Sequence, residues 1–167
     1  MATTYEPIAT QTLTGSAASI SFTSIPSTYT DLRLVVTAIG SGASSYLALQ
    51  YNGSATGYST TSIRGNGSTV TAAYQYSQTR GFILNSSADL PTSYPALSTT
   101  DIFSYTSTTN YKTSISIGSD DKNGSGEVGA LVNNWASTSA INRIDVIGYN
   151  TNLGTGTTAT LFGIKAA

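Results

Sequence analysis

The chain has no cysteine, no histidine and few charges. Without Cys there are no disulfides and no thiolate metal sites. A Cys-free chain is stable in either redox compartment, so its setting is not indicated. Without His the usual general base, the Ser-His-Asp triad and the common zinc and iron ligands are missing. Charged residues are 9% of the 167 residues, against about 25% in an average soluble domain. Net charge is −1, and the seven basic residues lie singly from Arg33 to Lys165. No electrostatic footprint for DNA or RNA is therefore expected. No apolar run approaches the ~20 residues that span a membrane. Residues 1–13 show neither the basic nor the apolar region of a signal peptide.

Ser and Thr supply about a third of the chain, with sixteen Gly and eleven Tyr. Disorder is excluded, because 39% of the residues are hydrophobic and they fall in patterned runs. Those runs are short, rich in Val, Ile, Tyr, Phe and Thr, and separated by Asn-Gly, Gly-Ser or Pro. They cover residues 19–22, 32–39, 46–51, 58–64, 70–78, 81–85, 102–105, 112–117, 128–135, 141–149 and 159–164. Only residues 136–140 are compatible with a helical turn. About ten short strands in one chain of this length predict an all-β, single-domain, two-sheet β-sandwich. A jelly roll is expected ahead of an immunoglobulin-like sandwich, for which about seven strands suffice. Residues 14–167 form the predicted sandwich. Residues 1–13 are expected to be an extended N-terminal arm, since Pro7 interrupts regular pairing.

The stretch SDDKNGSGE, residues 119–127, carries three of the eight acidic residues. Read as an EF-hand-type calcium loop from Asp121, it supplies Asp121, Asn123, Ser125 and Gly126 at the right places. Position 12 is then Val132, where a bidentate Glu is needed. A hairpin between 115–117 and 128–131 fits better, because Asn123-Gly124 is the favoured pair for a type I′ turn. A weak surface cation site on that hairpin, at Asp120 and Asp121, stays open. The other aspartates, Asp31, Asp89, Asp101 and Asp145, are scattered, and glycoside hydrolysis needs two carboxyls facing each other. No cofactor is implied and an enzyme is not expected. The Asn-X-Ser sequons at Asn52, Asn66, Asn85 and Asn123 matter only in a eukaryotic secretory pathway, and turns explain those with Gly at X.

The aromatic residues are the richer resource. Tyr74-Gln-Tyr76 puts two rings on one strand face, and exposed rings serve both glycan binding and protein interfaces. Trp135 is expected in the core at a strand end. Tyr5 and Pro7 in the arm, with Tyr74 and Tyr76, are the candidate interface residues.

Two stretches are distinctive: SIPSTYTDLRLVV at 24–36 and WASTSAINRI at 135–144. With YEPIAT at 5–10 and ATLFGI at 159–164, they resemble a family of small virion proteins of tailed bacteriophages, over nearly the whole chain. The resemblance implies a virion protein, made in the bacterial cytoplasm and carried on the extracellular particle. The expected role is capsid decoration, in which a homo-oligomer, a trimer by preference, cements neighbouring copies of the major capsid protein. The alternative is a tail fibre or spike module that binds host glycan. The matching motifs contain no catalytic residue.

Overall fold

The computed structural model describes residues 4–42, 46–84, 90–121 and 123–165. Asn85, Asp89 and Lys122 lie outside the described residues. Twelve strands form two antiparallel sheets. In chain order they are β1 Tyr5–Thr12, β2 Ser19–Phe22, β3 Asp31–Ala38, β4 Tyr46–Tyr51, β5 Tyr58–Gly65 and β6 Val70–Gln78. They continue as β7 Gly81–Phe82, β8 Ala96–Phe103, β9 Lys112–Asp120, β10 Glu127–Trp135, β11 Ile144–Tyr149 and β12 Thr158–Ile164. The larger sheet runs β1-β12-β3-β8-β9-β10-β5-β6 and the smaller β2-β11-β4-β7. The all-β, two-sheet sandwich expected from the patterned runs is the fold. Its split of eight strands against four differs from the even halves of an eight-strand jelly roll.

Alternation builds the core. Leu32, Leu34, Val36 and Ala38 of β3 are buried while Arg33, Val35 and Thr37 point away. The buried set meets Leu47, Leu49 and Tyr51 of β4 and Ile144 and Val146 of β11 in one main cluster spanning both sheets. Trp135 closes β10, 4% exposed. Its ring lies 5.6 Å from Tyr51 and 6.1 Å from Tyr58, nearly parallel to the latter.

Several expectations are corrected. The segment expected as an arm is paired: β1 lies along β12, with Tyr5 opposite Ile164 and Thr12 opposite Thr158. Pro7 is accommodated because β1 is an edge strand and its register shifts between Pro7 and Ala9, a place where a missing N–H is tolerated. The strand expected at 102–105 begins earlier, at Ala96. Its first half is largely polar, ALSTTD, and Ser98 and Thr100 are buried and hydrogen-bonded to Ile83 O and Ser116 Oγ. Tyr105 lies beyond that strand and is fully buried, its hydroxyl donating to Pro26 O. The last predicted strand before β12 starts at Ile144, not at residue 141. Residues 136–140 are irregular rather than helical, held by the bond from Ala136 N–H to Gly57 O.

Candidate interaction surface

Registers across the larger sheet define what its outer face presents. One row reads Thr10, Thr160, Val35, Thr99, Ile117, Ala130, Ile63, Ala72 across all eight strands. The row on one side reads Thr12, Thr158, Thr37, Leu97, Ser119, Val128, Gly65, Val70. On the other side stand Phe162, Arg33, Asp101, Ile115, Val132, Thr61 and Tyr74. The face thus has two halves. Over β1 and β12 it is lined by hydroxyls, with Thr10 and Thr12 paired to Thr160 and Thr158 at 3.0 and 2.8 Å. Over β9, β10, β5 and β6 it is apolar.

Arg33 and Asp101 carry the only charges in these rows. They neutralise each other through a two-pronged contact at 2.6 and 2.7 Å. The Asp101 hydrogen bond holds the Arg33 guanidinium pKa above its usual value. The Arg33 guanidinium also lies 5.1 Å from the Tyr5 ring centre.

β9 is built inside out. Its serines, Ser114 and Ser116, are buried, while Ile115 and Ile117 are 38% and 62% exposed. Small residues are needed inside, where a Cβ on Gly118 would stand 2.7 Å from Leu84 Cδ1 and 3.3 Å from Ile83 O. Ile63, Val70 and Val128 flank Ile117 on the outside, all more than half exposed. Between them, the lack of bulk at Gly65 and Ala130 leaves a shallow apolar depression of about 340 Å³. Four strand widths and three row widths give the patch roughly 20 Å by 20 Å in projection. That is about half of the ~800 Å² each partner contributes to a standard interface, enough for an apolar centre with the hydroxyl half as rim.

The four residues singled out in the sequence lie at the two margins of this sheet. Tyr5 and Pro7 are on the β1 edge, 45% exposed in the case of Tyr5. Tyr74 and Tyr76 are on the β6 edge, 73% and 69% exposed, with ring centres 6.1 Å apart. Seven strand spacings, ~34 Å, separate the two pairs, so they do not form one cluster. The residues between them went unnoticed, because alternation identifies two faces of a strand but not which one meets the core.

The acidic stretch forms the β9–β10 connection. Asn123 and Gly124 both have positive φ, 57° and 89°, as a type I′ turn requires. The flanking register is the one the hairpin predicts, with Ile117 opposite Ala130. Asp121 Oδ1 accepts from Gly124 N–H at 2.8 Å and Asp120 Oδ1 from Glu127 N–H at 2.9 Å. Glu127 also faces Arg64 at 3.2 Å. These carboxylates organise a turn beside the β5–β6 tip, where Gly65, Asn66 and Gly67 help line a cleft of about 310 Å³. Among the described residues no three acidic side chains group to hold a metal ion. Asp31 accepts from Ser104 N–H, and Asp145 pairs with Arg143 and Ser21. Each of these carboxylates has a structural task.

Comparison with protein-family models, with curated proteins and with solved structures gives no significant match to this chain.

Proposed function

We propose that this protein is a non-enzymatic structural component that acts by surface association, as a capsid decoration protein of a phage particle. The observation that carries the association is the inside-out strand β9. Leaving an isoleucine outside forgoes up to roughly 3 kcal/mol of burial per side chain, and Ile115 and Ile117 both stand outside over buried serines. A partner that covers the patch recovers that burial. The phage setting rests on the resemblance of the four stretches at 5–10, 24–36, 135–144 and 159–164. In this reading the apolar half of the face seats on the shell and bridges neighbouring copies of the major capsid protein. Binding only the assembled lattice then stabilises it by linkage.

The test is the ratio of this chain to the major capsid protein in purified particles, for wild type and for the double variant Ile117→Lys, Val128→Lys. Both positions are exposed, so the variant should fold, with a stability change of about 0.5 kcal/mol or less per site. Hundreds of wild-type copies per particle and none of the variant are expected. Wild-type occupancy by the variant would refute the role of the face. The exposed pair Tyr74 and Tyr76 favours one second reading, a tail module that stacks host glycan on these rings. That reading requires tens of copies or fewer.

A further inference from the structure

A sheet ends in strands whose outward N–H and C=O groups have no partner, and natural sheets blunt such edges. Three of the four edges here are blunted. β1 carries Pro7, a register shift and the charged Glu6, which meets Lys165 at 2.8 Å. β2 has four residues and β7 two. The fourth edge, β6, is nine residues long, VTAAYQYSQ, with no proline and no charge. Seven of its nine residues are exposed on both faces of the sheet and the other two are half-buried. β6 therefore projects past the smaller sheet. The one irregularity lies near its end, where the register to β5 shifts between Tyr58 and Thr60 and Ser77 has φ of 53°. Val70 to Gln75 precedes it in regular pairing.

We propose that β6 pairs with the β6 strand of a second copy, antiparallel, about a two-fold axis through Ala73, continuing the larger sheet from one protomer into the next. The sequence of the strand is complementary to itself in this register. Ala72 falls opposite the second copy's Tyr74, and Val70 opposite its Tyr76, so a small side chain meets a large one at each outer position. On the other side Thr71 faces Gln75, and no charge opposes a like charge. The apolar rows of the two outer faces then run on across the axis. A net charge of −1 leaves little repulsion between copies. The dimer does not rest on the shell reading, because it uses the sheet edge and not the sheet face.

The test is the mass of the full-length protein in solution across a dilution series, by sedimentation and light scattering. A concentration-dependent dimer is expected. Ala73→Lys places two lysines directly opposite each other, with Cβ atoms ~5 Å apart across the axis, and should weaken that dimer about tenfold or more. Ile117→Lys, three strands inward on the sheet, should leave it intact even if particle binding is lost. Because the chain has no cysteine, Ala73→Cys supplies a single thiol beside its own symmetry mate. A short thiol cross-linker should capture Ala73→Cys as a dimer, and Thr14→Cys should not be captured. A monomer at every concentration, a trimer, a dimer unchanged by Ala73→Lys, or equal capture of both cysteine variants would overturn the proposal.

Discussion

Two phenols in the core tie stability to alkaline pH. Burial pushes the Tyr58 hydroxyl up to about 12, and complete burial pushes Tyr51 higher still. In the unfolded chain both ionise near ~10. A group whose folded pKa is raised contributes stability that is fully present below the unfolded pKa and is lost as pH rises through the folded one. The protein should therefore hold its stability up to about pH 10 and lose it progressively toward pH 12. Ultraviolet titration of the eleven tyrosines should show Tyr51 and Tyr58 ionising only as the protein unfolds, with Tyr105, whose hydroxyl burial also pushes up, delayed as well. Early, reversible ionisation of all of them would contradict the packing of Tyr51, Tyr58 and Trp135.

At the scale of strands, β1 is the element whose role changes most. Its removal uncovers β12 and takes away the Lys165–Glu6 contact and the bond from Tyr29 to Glu6. It also strips Ile8, Ala9 and Leu13 from the core margin. Deleting residues 1–13 should therefore lower stability by roughly 2–4 kcal/mol from lost burial, read as a drop in melting temperature. An unchanged melting temperature would restore the idea of an independent arm. Most of the strands were legible in the sequence because their apolar residues recur at a period of two. β3 and β12 were found to within a residue or two. β8 was half missed, because Ser98 and Thr100 are polar side chains that find their partners inside the core, at Ile83 O and at Ser116 Oγ. In β9 alternation alone does not choose the inward face. KTSISIG reads as a strand, and only the packing of Gly118 against Leu84 decides that the serines face inward. The interaction surface was legible only at its margins, in the tyrosines.

For the whole molecule, the distribution of charge bears on the proposed association. The three rows of the outer face carry one internally neutralised ion pair and an uncharged apolar half, with Asp31 beyond them at the end of β3, bonded to Ser104 N–H. Association through such a face should depend little on ionic strength, because screening acts on exposed charges. Sulfate should strengthen it by favouring burial. Binding to particles measured from low to high sodium chloride should stay nearly constant. A steep fall with salt would point to a charged surface elsewhere as the contact.

The larger sheet is sealed by strands from opposite ends of the chain, since β12 sits between β1 and β3. During synthesis, residues 5–12 must wait for residues 158–164 before they have a neighbour, and β3 waits with its flank open. Such non-local pairing is slow, and an open flank exposes a partly made chain to aggregation. A chain interrupted before Thr158 leaves both β1 and the flank of β3 without their neighbour, and such a chain should aggregate more readily than the full-length protein.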